Sequence, residues 1–527
     1  MSRLRPLPLA CLVLACQSGA PADASGDASA TATADASTTA TTTGAADPTT
    51  TADTLAIDTT AAATTTADTT AADATTGEPL LCGEPLPCPG GVCTGLLRGA
   101  SEGTVPRDLA VDPCGDILVT GSHHGIEPGL GLGAAAMGVT DAFVARVDRT
   151  GTPRWGRSLG EPDNVNEYDV DPSAVAVHPD GSIFVAGAGS SPFVVDGLAC
   201  DGYATKAFVL KLTPDGEPVW LRCHEDPPVV HVADMVVHAD ALYLAGECHG
   251  QDFDDRHMFL ARVDAVTGAM DASACLDSGG YASLRRIVRD GRRLVVLGDF
   301  RGLLLFTQPL AAPDGDLVLA RFDPAAWTPG AAPPWDFSAQ YGGPGFVLAD
   351  GLARADDGSL AVVGWATPDV ACDDGDGLAG GLGESDSRAL FAVYTPSGAG
   401  YTRTTNLCFG RNLSNESFDV VARPGGGFSW TGYSYHEIFA PPHRLAPASP
   451  AMFVATWVDG AGITATWMPG IDDDDSAYYT RLAVDPLGLV VAGAYHGDPQ
   501  FFPGDDAPAV GQRLFVLQTA ADLTFTP

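Results

Sequence analysis

The sequence predicts an all-β fold, a single seven-bladed β-propeller of four-stranded antiparallel blades. Short apolar runs rich in β-branched and aromatic residues alternate with tight-turn signals, such as HPDG at residues 178–181 and TPDG at 213–216. This pattern recurs roughly every 60 residues, a period typical of propeller blades. Two independent landmarks each occur seven times in the chain, so we expect seven blades.

The repeating unit is clearest between residues 174 and 220. Residues 174–177, 183–186 and 208–212 are its first three predicted strands, named A, B and C from the propeller axis outward, and strand D begins at 218–220. Tight turns join A to B and C to D, which predicts an antiparallel meander. The A–B and C–D hairpins then share one face of the disc, and the B–C connections lie on the other.

Two residue positions mark every copy of the unit. Strand B ends in a glycine: Gly121, Gly187, Gly246, Gly298, Gly364, Gly432 and Gly493. Strand C carries an aromatic or aliphatic residue at one place: Phe143, Phe208, Phe259, Val318, Phe391, Phe453 and Phe515. An eight-bladed ring would require one more copy of the unit, so the landmarks favour seven.

The first two units resemble a known repeat. The stretches DLAVDPCGDILVTG…DAFVARVDRTGTPRWGRSLG and AVAVHPDGSIFVAG…KAFVLKLTPDGEPVW are similar to SBBP-type seven-bladed propeller repeats. The resemblance covers nearly everything after residue 100. The resemblance implies a propeller architecture in an exported bacterial protein. It implies no particular chemistry, because proteins with this repeat share none.

Residues 1–16 are predicted to be a bacterial lipoprotein signal peptide. Arg3 and Arg5 form a basic start, residues 7–15 are apolar, and VLAC at 13–16 places a small residue before Cys16. We expect Cys16 to carry the lipid anchor of an outer-membrane lipoprotein exposed at the periplasm or cell surface. An ordinary secretory peptide, giving a secreted protein, is the alternative.

Residues 17–78 form a Thr-, Ala- and Asp-rich stretch without Lys or Arg. Such a composition buries too little apolar surface to offset the entropy of ordering, so we predict a disordered tether. At about 60 residues, its r.m.s. reach is about 45 Å.

Residues 79–101 are a Cys-rich collar with a candidate closing strand. The spacing of Cys82, Cys88 and Cys93 does not match paired zinc knuckles, so disulfides are the better interpretation, with Cys114 as the candidate fourth member and the pairing open. The last unit shows three clear strands, and residues 94–101 resemble the strand-D stretch at 154–159. We predict that 94–101 pairs with the last blade, and that the propeller spans 102–527.

Blade topology places three further cysteine pairs in register. In each pair the first cysteine is expected in a B–C loop and the second near the end of strand D, on the same face: Cys200–Cys223, Cys248–Cys275 and Cys372–Cys408. Twelve cysteines also indicate an oxidising compartment. Each bridge would contribute about 3–4 kcal/mol, mainly by restricting the unfolded chain.

The charge excludes some partners. The chain has 66 Asp and Glu against 28 Lys and Arg, a net charge of −38, so nucleic acid and anionic lipid surfaces are repelled. We expect a monomer that meets the membrane through its lipid anchor only, with a protein or glycan ligand of unknown identity. Acidity of this kind keeps an exported protein soluble.

Catalytic and cofactor motifs are lacking in the sequence. No GxSxG elbow and no P-loop occurs, and the two His-Glu pairs, at 224–225 and 436–437, lack the second histidine of a zincin. We therefore predict no catalytic, cofactor or metal residues. Weak calcium binding at acidic surface loops, such as 472–475, and thiol–imidazole metal sites at Cys223-His224 and Cys248-His249 are the alternatives left open.

One constellation is a candidate ligand face. His124, His249, Arg301 and His496 lie three residues beyond the strand-B glycine, and His436 lies one place further. Propeller symmetry would put them on one face around the channel mouth, where they would meet an anionic or metal ligand. Ordinary surface residues on long loops are the alternative interpretation.

Three functions are compatible with these features. The first is a surface-tethered, non-enzymatic binding scaffold. The second is an enzyme, of lyase or hydrolase type, with an active site built from B–C loops at one channel mouth. The third is a structural spacer in the envelope. Because propellers host all of these, fold alone does not decide among them.

Overall fold

The computed structural model describes residues 96–98, 103–123, 127–132, 141–160, 170–189, 192–201, 205–225, 227–249, 256–374, 387–410, 414–435, 438–439, 443, 445, 451–468, 476–485, 488–496 and 513–520. The predicted signal peptide with Cys16, the predicted tether, and Cys82, Cys88 and Cys93 lie outside these residues. None of the helices in the described ranges has the length and apolar character needed to cross a membrane.

The described strands form seven four-stranded antiparallel blades, which confirms the predicted fold class. From strand A to strand D, blade 1 is Val105–Val111, Ile117–His123, Asp141–Val147 and Pro153–Leu159; blade 2 is Val170–Val177, Ile183–Gly189, Lys206–Leu212 and Pro218–His224; and blade 3 is Val229–His238, Ala241–His249, Arg256–Asp264 and Met270–Leu276.

The next three blades follow the same order. Blade 4 is Ala282–Asp290, Arg293–Leu305, Pro309–Phe322 and Trp335–Tyr341; blade 5 is Val347–Arg354, Leu360–Ala366, Arg388–Ser397 and Gly400–Phe409; and blade 6 is Asn415–Ala422, Phe428–Ser434, Ala451–Val458 and Gly462–Trp467. The smaller elements are the hairpin Phe193–Val195 and Leu198–Cys200, the strand Asp373–Asp374 beside strand D of blade 5, and the 3-10 turns Pro128–Leu130 and Pro324–Ala326.

Blade 7 is completed by the N-terminal end of the described chain. Its strands A to C are Ser476–Asp485, Gly488–His496 and Arg513–Ala520, and its strand D is Leu96–Arg98. Leu97 pairs with Val516, antiparallel. This strand lies within the segment 94–101 that the sequence singles out for closure, and it covers the sheet edge that strand C would otherwise expose.

Seven clusters of buried apolar side chains, counted over the described residues, lie one at each joint between neighbouring blades. At the joint between blades 7 and 1, Leu109 and Val119 pack with Val490 and Val516. Small and large apolar residues on both faces of each sheet pack against those of the neighbouring blade and form these clusters. Because every blade buries both of its faces in this way, the apolar contacts continue all the way around the ring.

A β-bulge in strand A explains the strand-B glycines. Strand A of every blade has a register irregularity opposite that glycine. The bulge brings a strand-A carbonyl over the glycine, so an added Cβ at Gly187 would lie 2.1 Å from the oxygen of Asp171, and one at Gly246 would lie 2.1 Å from that of His231. A side chain at either position would collide with backbone.

The strand-C landmark is correct in six blades and wrong by one residue in blade 5. Leu390, and not Phe391, pairs with Gly364 there, whereas Gly121 pairs with Phe143 as predicted. Phe391 faces the other side of the sheet, where it stacks on Trp430 with ring centroids 4.5 Å apart. The position opposite the strand-B glycine accepts an aliphatic as well as an aromatic side chain. The aromatic Phe391 next to Leu390 therefore led to a predicted register that is wrong by one residue.

The structure contains the three cysteine pairs that the sequence predicts. The Cα atoms are 5.9 Å apart in Cys200–Cys223, 6.1 Å in Cys248–Cys275 and 5.9 Å in Cys372–Cys408. Cys248 lies in strand B and not in the B–C loop, because strand C begins at Arg256 and extends the pairing as far as His249. Cys114 is also disulfide-bonded.

Candidate functional site

The strand-A bulges build one cavity at the propeller axis. Its volume is about 270 Å³, and all seven blades contribute to its wall. Six of the lining residues are the bulge residues themselves: Arg107, Ser173, Ala233, Arg285, Asp350 and Phe418. The remaining four, Asp171, His231, Arg286 and Arg481, lie one or two positions from a bulge. Bulges re-aim side chains, and here they turn them toward the axis.

Two of the four cavity arginines have carboxylate partners. Arg107 Nε lies 3.2 Å from Asp171 Oδ1. Arg285 Nε donates to Asp299 Oδ1 at 2.9 Å, and its Nη2 donates to the hydroxyl oxygen of Tyr281 at 2.6 Å. Burial raises the pKa of Asp299 to about 6, while the charge of Arg285 opposes that rise. These contacts fix the direction in which Arg285 faces the cavity.

The other two arginines have backbone partners only. Arg286 Nη1 donates to the Arg285 carbonyl at 3.2 Å, and Arg481 Nε donates to the Arg107 carbonyl at 2.7 Å. Neither forms an ion pair with a described carboxylate. Burial and the charge of Arg286 lower the pKa of Arg481. Each guanidinium has five donors, so several remain available to a ligand.

Aspartates beneath the cavity hold neighbouring blades together. In three joints a strand-A aspartate accepts the backbone N–H of the next blade: Asp108 from Val175 at 2.7 Å, Asp234 from Ile287 at 2.8 Å and Asp419 from Leu482 at 2.8 Å. Burial raises the pKa of Asp108 to about 7, with the Asp234 charge adding to the rise. Burial likewise raises the pKa of Asp234 to about 6, against the charge of Arg286.

Asp350 differs from these aspartates because it lines the cavity and makes no side-chain hydrogen bond with the described residues. Burial raises its pKa to about 7, and the charges of Arg285 and Arg286 oppose the rise. His231, across the cavity, has its pKa lowered by burial. The cavity thus presents unsatisfied donors and an unsatisfied acceptor, a combination that can hold a small polar ligand.

The candidate ligand face predicted from the sequence is a different set of residues. His124 and His436 lie outside the described residues. His249, Arg301 and His496 lie in or at the ends of strands B of three separate blades, and none of them lines the axial cavity. These three residues share the same spacing from the glycine because they lie further along strand B. The residues that line the axial cavity belong instead to strand A.

Cys223 and Cys248 of the two thiol–imidazole pairs are both in disulfides, so neither supplies a free thiol beside its histidine. Across the described part of the chain, no three His, Cys, Asp or Glu side chains are grouped closely enough to hold a metal ion. A larger groove of about 520 Å³ lies on the outer strands, with Cys223, His224 and Asp271 in its wall. It gathers residues from fewer blades than the axial cavity.

A sequence signal for the axial cavity does exist. The bulge residue lies 14 positions before the strand-B glycine in blade 1, from Arg107 to Gly121, and 13 positions before it in blade 3, from Ala233 to Gly246. Charged residues at this place stand directly before an apolar strand, as in RDLAV at 107–111 and RRIVR at 285–289. The charged residues at the bulge are therefore predictable from the sequence, because they stand 13 or 14 positions before the strand-B glycine.

Comparison with known proteins gives no family. No family model and no curated protein matches the chain. Among solved structures, hydrazine synthase from Kuenenia stuttgartiensis is 13% identical, with 79% of this chain and 96% of that one covered and a TM-score of 0.44. The polysaccharide lyase Uly1 is 10% identical (79% and 90% covered, TM-score 0.42), and the β-propeller domain of the Trilobed protease from Pyrococcus furiosus is 8% identical (81% and 97% covered, TM-score 0.38).

Proposed function

We propose that this protein is an exported binding scaffold whose axial cavity holds a small anionic ligand. One observation carries the proposal: four of the 28 basic residues of a chain with net charge −38 converge on one cavity of about 270 Å³. Like charges in one small space are costly unless opposite charge compensates them. Two carboxylates, Asp171 and Asp350, share the cavity wall with them. The charges of Asp108 and Asp419 beneath the wall also act on Arg286 and Arg481.

The chemistry of the cavity suits an anion. Guanidinium groups bind carboxylate and phosphate oxygens through paired, charge-assisted hydrogen bonds. Arg286 and Arg481 retain such donors because their described partners are backbone carbonyls. The acidic exterior would slow the approach of an anion, so selectivity has to come from the cavity itself.

The proposed setting is the cell envelope, with Cys16 as the lipid anchor and residues 17–78 as the tether. The three disulfides support an oxidising compartment. A ring that is closed by its own N-terminal strand is a rigid platform for a tethered receptor.

The direct test is calorimetric titration of the full mature protein with inorganic phosphate. We expect binding by the wild type and a loss of about 10- to 100-fold in affinity for Arg481→Gln, the range for a lost hydrogen bond to a charged group. Arg292→Gln is the matched control, since its side chain is 78% exposed and does not line the cavity. Equal affinities for both variants and the wild type would overturn the proposal.

A second candidate function is an enzyme of lyase or hydrolase type at the same cavity. It is favoured by His231, whose lowered pKa keeps the imidazole neutral beside the arginines, so that it can accept a proton. Mass spectrometry of acidic oligosaccharides incubated with the protein distinguishes the two. Cleavage that His231→Gln abolishes indicates the enzyme, and unchanged oligosaccharides indicate the scaffold.

A further inference from the structure

We propose that the ligand of the axial cavity is an acidic saccharide, whose uronate ring places its carboxylate on Arg286 and Arg481, its hydroxyls on Asp171 and Asp350, and its C–H face on Phe418. This rests on the proposed anion site and names the class of ligand. Three features of the cavity wall lead to it.

The first feature is the pair of carboxylates. Asp171 and Asp350 line the same cavity as the arginines. An anion that carries only acceptor oxygens, such as sulfate, would meet both carboxylates without donating to either. A ligand that adds hydroxyl groups satisfies them, because a hydroxyl donates to a carboxylate. Asp350 has no described hydrogen-bond partner of its own, so it is the acceptor that most needs such a donor.

The second feature is Phe418, which is the aromatic residue among the described lining residues. It occupies the bulge position of blade 6, and its side chain is half-buried. Ala233 occupies the equivalent position in blade 3 and leaves room. A flat apolar ring in an otherwise charged wall matches a ligand with one apolar face and polar groups around its edge, which is the character of a sugar ring.

The third feature is size. A cavity of about 270 Å³ is just below the range of about 300–1,000 Å³ usual for drug-sized ligands. It therefore admits about one sugar ring. A free sugar acid and the terminal residue of an acidic glycan both meet this limit, and they share the chemistry that the wall recognises.

The experiment compares four probes by calorimetry on the full mature protein: galacturonate, trigalacturonate, galactose and inorganic phosphate. We expect galacturonate to bind at least tenfold more tightly than phosphate and than galactose. Tighter binding of trigalacturonate than of galacturonate identifies a glycan terminus as the source, and equal or weaker binding identifies the free acid.

The matched variants separate this inference from the anion site. Phe418→Leu keeps an apolar side chain and removes the flat ring, so we expect about tenfold weaker galacturonate binding with phosphate binding unchanged. Arg481→Gln should weaken both, and Arg292→Gln neither. Phosphate binding as tight as galacturonate binding, or no response to Phe418→Leu, overturns the saccharide and leaves the anion site standing. Failure of every anion to bind overturns both.

Discussion

Arg149 and Asp485, which lie 336 residues apart in the sequence, form a two-point ion pair where the last blade meets the first. Arg149 Nε lies 2.8 Å from Asp485 Oδ2, and Arg149 Nη2 donates to Oδ1 at 3.1 Å. Both side chains are buried, and Gln518 Nε2 also donates to Oδ2, at 2.9 Å. The joint that closes the ring therefore depends on a charged contact as well as on apolar packing.

Removing one member of this pair should destabilise the closed ring. We expect Arg149→Ala to lower the free energy of unfolding by about 3–5 kcal/mol, because it removes the Arg149 charge from the buried Asp485 carboxylate. Urea unfolding followed by tryptophan fluorescence measures the change. Glu217→Gln is the control: its pair with Arg157 is 2.6 Å long but Glu217 is 67% exposed, so we expect about 0–1 kcal/mol. Equal effects of the two substitutions would contradict the prediction.

The closing strand should matter more than the whole predicted tether. Deleting residues 94–101 removes the strand Leu96–Arg98 and exposes the edge of Arg513–Ala520, whereas deleting 17–78 removes no described contact. We expect a clearly lower melting temperature for the first deletion by differential scanning calorimetry and an unchanged one for the second. If the two deletions melt alike, strand C of blade 7 is stable without its partner.

The three described disulfides should be recovered from the native protein. Non-reducing peptide mapping is expected to link Cys200 with Cys223, Cys248 with Cys275, and Cys372 with Cys408. We further expect the double variant Cys372→Ser/Cys408→Ser to lose about 3–4 kcal/mol of unfolding free energy, because the bridge restricts the unfolded chain. Crossed pairs in the map would be incompatible with the blade register.

The pH dependence of stability should reveal the buried aspartates. Burial raises the pKa of Asp108 and of Asp350 from 3.8 to about 7. The folded protein therefore binds more protons than the unfolded chain between these values, so its stability falls as the pH rises through 7. His224 and His231, whose pKa values are lowered by burial, act in the opposite direction, but only below about pH 6.5.

Urea unfolding at intervals from about pH 6.5 to about pH 8 measures this dependence. We expect the free energy of unfolding to decrease across that range in the wild type and to change less in Asp108→Asn/Asp350→Asn. The amide oxygen that this variant carries at position 108 can still accept the Val175 N–H. Equal pH dependence of the wild type and the variant across that range would show that these carboxyls are ionised in the folded protein well below pH 7.

The anchor proposal has a simple cellular test. Replacing Cys16 with serine removes the predicted acylation site, so we expect the mature protein to move from the membrane fraction to the soluble one. Immunoblots of fractionated cells measure this. A variant that still partitions with the membrane would exclude Cys16 as the anchor.

Much of the fold follows from local sequence. Turn signals such as residues 178–181, short β-rich runs and a recurring glycine are all readable without tertiary contacts, because each reflects a constraint within one blade. Gly187 recurs because a strand-A carbonyl lies over it, and that collision is repeated in blade after blade. The same periodicity placed the cysteine pairs, since both members of each pair belong to one blade.

The axial cavity was decided by tertiary structure, for a different physical reason. Arg107 of blade 1 and Arg481 of blade 7 come together only when the ring closes, and no local pattern links them. The bulge that turns Arg285 and Phe418 toward the axis shifts the strand register by one residue, which a count of alternating apolar residues does not detect. The sequence alone therefore determined the blades and their number, whereas closure of the ring and the strand-A bulges decided which side chains share a site.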